Sequence, residues 1–276
     1  MSISVLTNQS ALIALQNLNM TQDSLQSTQN QINTGLKVSS AKDNASIYAI
    51  AQKQRASISA LGAVTDSLNR ATSISDVASA AGQSISDLLN QLKQKVVAAM
   101  DPSQDTTSRS LLNVDYKSLL HQISQVIQNA QFDGANILDG SLASGLKFIA
   151  DSDAQSFITL STQNMSLGGT IITMGATSSI STVTFATAVL SQLDASITNV
   201  NSALANIGAQ SNQISSHNTF VSKLTDALTT GVGNLVDADM AAESAKLQAL
   251  QVQQQLGAQA LSIANQAPQV ILQLFK

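Results

Sequence analysis

The sequence predicts a mainly α fold: an antiparallel bundle of long helices with coiled-coil character, discontinuous N- and C-terminal helices and a small β-rich insert. Three observations predict it. Apolar residues recur at alternating spacings of four and three over most of the chain. The layout is symmetric, with a helical stretch and then a short Gly/Ser-bearing break at each end. Only one internal stretch, from Ile137 to about Thr187, turns rich in Gly, Ser and Thr. Because the ends mirror each other, the symmetry places them together in space, with the insert at the far tip of the bundle.

The first helix has its seam at Ala11, Leu15, Leu18, Gln22, Leu25, Gln29, Ile32 and Leu36. A break follows around Thr34–Asn44, holding Gly35 and the Ser39–Ser40 pair. Helical spacing resumes through Ile47, Ile58, Leu61, Leu68, Ile85, Leu88, Leu92 and Val96. Asp101-Pro102-Ser103 ends it, because proline cannot continue a helix. Thr106, Thr107 or Ser108 is expected to cap the next helix. Its seam is Leu112, Tyr116, Leu119, Ile123, Val126 and Ala130. After Phe132-Asp133-Gly134 come four short β-favouring runs: Leu146–Ala150, Ser156–Leu160, Thr170–Met174 and Ser181–Ala186. Helix returns with Leu193, Ile197, Val200, Leu204, Ile207, Ser211, Ile214, Asn218, Val221, Thr225 and Leu228. A second break is expected at Thr229, Thr230, Gly231 and Gly233. Asp237 or Asp239 then caps the last helix. Its seam is read as Ala249, Gln253, Leu256, Ala260, Ile263, Ala267, Val270 and Leu274, with a kink at Pro268.

The composition narrows the function. Only 11% of the 276 residues are charged, 43% are hydrophobic, and Ser, Thr, Asn and Gln make up most of the rest. The net charge is −4, which argues against a nucleic-acid partner. There is no Cys, which removes disulfides and thiol chemistry. Leu247–Phe275 carries no charge, yet it holds nine Gln, so a bilayer span and a membrane partner are not expected. The first basic residue is Lys37, which does not fit a cleaved secretory signal.

The ends are the most informative part. Met1–Leu36 has one charged residue, Asp23, and Leu247–Phe275 has none. A helix whose back faces water normally carries charge there. Amides and hydroxyls instead tolerate burial at a cost far below that of an ion. Helices without packing partners are marginal in water. Each seam Leu gains roughly 1.5–3 kcal/mol on full burial, but only if a partner is present. Many copies packed side by side supply that partner, so self-assembly with ordering of the ends is expected.

Chemistry is sparse. His121 and His217 lie on different helices with no ligand-like neighbours. Gly231-Val232-Gly233 fails the dinucleotide fingerprint, since position 236 is Val. Asp151-Ser152-Asp153 reads as a solvated turn, and no Gly-x-Ser-x-Gly elbow occurs. No catalytic, cofactor-binding or metal site is expected, and no cofactor is implied.

Three separated motifs then carry a family resemblance. Leu6–Leu12 (LTNQSAL), Ile32–Ala45 and Ala49–Ala51 resemble the start of bacterial flagellins. Phe132–Gly140 (FDGANILDG) is similar to that family's helix-to-strand turn, and Ala238–Glu243 with Ala264–Phe275 to its ending. Lys42-Asp43-Asn44 is most similar to the short alphaproteobacterial members. The resemblance implies a non-enzymatic subunit of the extracellular flagellar filament, exported unfolded by a type III apparatus and rotated for motility. It implies inner-tube helices at 1–36 and 240–276, spoke linkers at 37–44 and 229–239, an outer helical core at 45–136 and 188–228, and a variable insert at 137–187. On that reading the self-assembly interface is Leu12, Leu15, Leu18, Leu25, Ile32, Leu36, Leu256, Ala260, Ile263, Val270 and Leu274. Thr177, Ser178, Ser179 and Thr182 are candidate O-glycosylation sites. The implied partners are other flagellin subunits, hook-associated junction and cap proteins and an export chaperone. The alternative within the same helical plan is the hook–filament junction protein itself.

Overall fold

Among the described residues, five helices and one hairpin account for the secondary structure: α1 (Gln9–Thr34), α2 (Ala45–Ala99), α3 (Thr106–Asn129), β1 (Leu146–Ile149), β2 (Phe157–Leu160), α4 (Val183–Val236) and α5 (Met240–Leu274). The computed structural model describes residues 7–274, with side chains described to residue 266. The chain divides into two compact units, residues 1–56 with 227–276, and residues 57–226.

In the unit that holds the chain ends, α1 packs against α5. The pair is antiparallel: Asn8 Nδ2 donates to the Ala264 carbonyl at 2.7 Å, while Lys37 N donates to the Val236 carbonyl at 2.7 Å at the other end. Asn8 also caps α1, its Oδ1 accepting from Ala11 N at 3.1 Å. Gly35, at φ 70°, ends α1 in the left-handed region where a side chain would be strained. The chain then forms an isolated antiparallel bridge, Leu36 with Asp237. Asn44 Oδ1 accepts from Ile47 N at 3.0 Å and so starts α2.

The expected break at Thr229–Gly233 is helix. Helix α4 runs through both glycines to Val236, with Val232 and Val236 buried. Their burial outweighs the roughly 1 kcal/mol that each helical Gly costs relative to Ala. The connector shrinks to Asp237–Asp239, and Asp239 Oδ1 caps α5 by accepting from Ala241 N and Ala242 N. Helix α5 runs past Pro268.

In residues 57–226, α2 and α4 run antiparallel, as Lys93–Asp194 at 2.8 Å and Asn218 Nδ2 to Asn69 Oδ1 at 2.9 Å show. Helix α3 returns along α2, with Lys95 on Asp115 at 2.7 Å. The core holds Leu68, Ile85, Leu89 and Leu92 of α2, Tyr116, Leu120 and Ile123 of α3, and Leu193, Val200, Ile207 and Ile214 of α4, all buried. The α3 cap is Asp105, not Thr106, Thr107 or Ser108: its Oδ1 accepts from Ser108 N at 2.8 Å. A carboxylate serves the exposed N–H groups and the positive helix end together.

Two of the four expected strands form. β1 and β2 pair antiparallel, Leu146 opposite Leu160 and Ile149 opposite Phe157. Leu146, Phe148, Ile158 and Leu160 share the inward face, and Phe148 and Leu160 are buried. Asp151 closes the turn by accepting from Gln155 N and Ser156 N, which makes it a turn residue. Thr170–Met174 is irregular, because Thr173 N donates to Ser196 Oγ of α4 at 3.0 Å instead of to a strand. Ser181–Ala186 is the start of α4, with Thr182 Oγ1 accepting from Phe185 N at 3.2 Å.

The insert does not sit at a far tip. It runs along the helices: Ala150 O meets His217 Nε2 at 2.7 Å, Ser161 N donates to Gln210 at 2.7 Å, and Ile180 N donates to Asn113 at 2.8 Å. Ile137, Leu138, Met165, Ile172, Met174 and Ile180 are buried. A segment this short has too little core of its own, so it buries its apolar residues on the helices.

Candidate self-assembly surface

The surface of interest is built by α1 and α5. The side of α1 turned to α5 is Ala11, Ala14, Leu18, Thr21, Leu25, Thr28 and Ile32, spaced three and four apart. On α5 it is Glu243, Leu247, Leu250, Gln254, Gly257, Leu261 and Ala264. Gly257 lets the helices approach closely: a Cβ there would stand 3.2 Å from Leu18 Cδ1. At the connector end, the Gln31 amide, turned so that its nitrogen rather than its oxygen faces the carboxylate, donates to both oxygens of Glu243 at 3.1 and 3.3 Å, and Lys246 pairs with the same carboxylate at 3.4 Å.

This arrangement divides the expected interface residues into two sets. Leu18, Leu25, Ile32 and Leu36 are half-buried within the chain. Leu12, Leu15, Leu256, Ala260 and Ile263 are exposed, with Leu256 at 64% and Ile263 at 61%. Val270 and Leu274 have side chains outside the described residues. The α1 seam read from sequence is half right: Ala14, Thr21 and Thr28 take the places assigned to Leu15, Gln22 and Gln29. The α5 seam lies on the outward stripe, about a quarter turn or more from the side that meets α1. Leu247, Leu250 and Leu261 carry the inward side with the same spacing, so both stripes were present in the sequence and only packing separates them.

Helix α5 therefore has two apolar stripes, one used within the chain and one open. The open one adds Val252, which is exposed, and α1 contributes exposed Ile13 and Met20. These three were not in the expected set. No ionisable side chain interrupts Thr7–Gln22 or Leu247–Gln266.

The connector beside this pair is held by one carboxylate. Asp43 Oδ2 accepts from the backbone N and the hydroxyl of both Ser39 and Ser40, at 2.9–3.1 Å. The Ser39 hydroxyl, followed by the other serine donors, holds the Asp43 carboxyl below its ordinary value of 3.8.

The candidate glycosylation residues differ in access. Thr177 is exposed, and Ser178 is half-buried. The Ser179 hydroxyl donates to Asn113 Oδ1 at 2.9 Å, and Thr182 caps α4. Nearby Tyr116 is buried and donates to Met174 Sδ; burial pushes its hydroxyl up to about 12. His217 holds the Ala150 carbonyl, and His121 is exposed.

Comparison with known proteins places this geometry. Residues 5–143 match the bacterial flagellin N-terminal helical region, and residues 190–275 match the bacterial flagellin C-terminal helical region. Flagellin FljJ of Caulobacter vibrioides is 54% identical over 276 residues, covering all of this chain and 99% of that protein. Flagellin FljM of the same organism is 48% identical over 99% of this chain and 98% of the relative. A flagellin of Brucella melitensis is 39% identical over 99% of both chains. A crystal structure of Bacillus cereus flagellin overlaps with a TM-score of 0.49 at 20% identity, over 55% of this chain and 86% of that one. Both matched regions are flagellin regions, which favours the filament subunit and gives the hook–filament junction alternative no support. The chain belongs to the bacterial flagellins, the non-enzymatic structural subunits that polymerise into the extracellular flagellar filament.

Proposed function

We propose that the exposed faces of α1 and α5 are where subunits of this flagellin meet, with the terminal helices, residues 1–36 and 240–276, forming an inner layer of the filament. One observation carries this reading: large apolar side chains, Leu12, Leu15, Leu256 and Ile263 among them, stand exposed on helices that carry no charge beside them. Burial among neighbours stabilises each by roughly 1.5–3 kcal/mol. Val270 and Leu274 continue the α5 stripe by spacing. Residues 37–44 and 229–239 serve as spokes to an outer layer formed by 45–136 and 188–228, although in the second spoke only Asp237–Asp239 is non-helical. Residues 137–187 face outward, and Thr177 and Thr182 are the two exposed members of the four O-glycan candidates.

On the same reading the chain leaves the cell unfolded through the flagellar type III apparatus, escorted by an export chaperone. It orders at the growing tip beneath a hook-associated cap, and a junction protein joins the filament to the hook. The assembled filament turns as the propeller of motility. The lack of cysteine suits threading, since no disulfide blocks it.

Substituting Leu256→Asp or Ile263→Asp tests the interface. Both side chains are exposed in the single subunit. The expected result is unchanged helical circular dichroism with no filaments by electron microscopy. Normal filaments from both variants would overturn the reading.

A further inference from the structure

If α1 and α5 meet other subunits as proposed above, their two flanks offer different surfaces. One flank carries a mostly apolar groove of about 440 Å³, its floor and rim formed by Ile13, Ala14, Leu256 and Ala260, with Ser10 and Asn17 as its polar lining. Ile13 is 54% exposed, so the groove has an open apolar rim. On the other flank the side chains stand out instead. At 100° per residue, Leu12 and Leu15 project from α1 roughly opposite to Ser10, Ile13 and Asn17. Both leucines are exposed, and the adjoining side of α5 presents Gln251, Ala258 and Ser262. One side of the helix pair is a groove and the other is a ridge.

We infer that subunits join head to tail across these flanks, with Leu12 and Leu15 of one copy seated in the Ile13–Leu256 groove of the next. The charge match selects the occupant. Neither flank has an ionisable group over Thr7–Gln22 or Leu247–Gln266. A charged partner would lose hydration against this groove with no opposite charge to offset it. The ridge of a second copy brings two leucines and no charge. The contact is heterologous, since each copy gives one flank and receives on the other. Such contacts extend into rings or helical polymers, whereas a self-complementary contact stops at a dimer.

The chain has no cysteine, so single introduced thiols are unique. Filaments are grown from an equal mixture of Leu15→Cys and Ala260→Cys subunits and oxidised. The same is done with Leu12→Cys and Leu256→Cys, which samples a different axial offset. Covalent dimers are expected from a mixture and not from any single variant polymerised alone. Dimers in Leu15→Cys or Ala260→Cys filaments alone mean that like flanks meet, and overturn the inference. Filaments that form without dimers from either mixture overturn it too. Failure of the unsubstituted protein to polymerise would instead sink the interface reading that precedes it.

Discussion

Thr28 is wholly buried on the side of α1 that meets α5, and its hydroxyl has no hydrogen-bond partner. An unpaired buried hydroxyl costs more than a methyl of the same shape. Thr28→Val is expected to stabilise the α1–α5 pair by about 1 kcal/mol, read as slower amide exchange in both helices. Asp43 sets the acid response of the connector. Its carboxyl lies below the usual value in the folded chain because the serines donate to it, the Ser39 hydroxyl foremost. A depressed folded value means the carboxylate's contribution is complete above the ordinary carboxylate range and is lost as pH falls through the folded value. Relative to the intrinsic rate at each pH, the Ser39 and Ser40 amides should therefore lose protection from exchange on acidification below pH ~4. In Asp43→Ala exchange should be fast already at neutral pH.

Two glycines of α2 separate space from crowding. A Cβ on Gly62 meets nothing within 4 Å, whereas one on Gly82 would stand 2.6 Å from Leu204 Cδ2 of α4. Gly62→Ala is expected to stabilise residues 57–226 by about 1 kcal/mol through helix propensity. Gly82→Leu adds bulk to a packed contact, which costs about 1–3 kcal/mol against a similar propensity gain, so the net change is a loss. Urea midpoints moving in opposite directions, with unchanged slopes, are the check. Elements of this kind were legible where one face alone is buried. Every expected seam position of α4 from Leu193 to Leu228 is buried or half-buried. Legibility failed where two faces are apolar. On α5 the spacing of Leu256 and Ile263 is as regular as that of Leu250 and Leu261, and periodicity does not say which one meets α1. It failed again where tertiary contacts override local signals: Gly231 and Gly233 stay helical beside buried Val232 and Val236, and Thr173 bonds to Ser196 of α4 in place of a strand. The hairpin at Leu146–Leu160 was readable because its alternation and its Asp151 turn agree.

For the molecule as a whole, the uncharged ends set how assembly responds to solvent. Contacts between charge-free apolar faces are not screened by salt, while excluded anions strengthen burial. The critical concentration for polymerisation is expected to stay flat between low and moderate sodium chloride and to fall in ammonium sulfate, followed by light scattering. A steep rise with sodium chloride would place ion pairs at the interface instead. The paired connectors carry a last consequence. Leu36 bridges Asp237, Ala238 N donates to Gly35 O, and Asn8 reaches Ala264 at the opposite extremity. The first and last helices are thus stapled at both extremities and are expected to melt as one, so a chain clipped before Met240 should forfeit the order of its opening helix along with the residues removed.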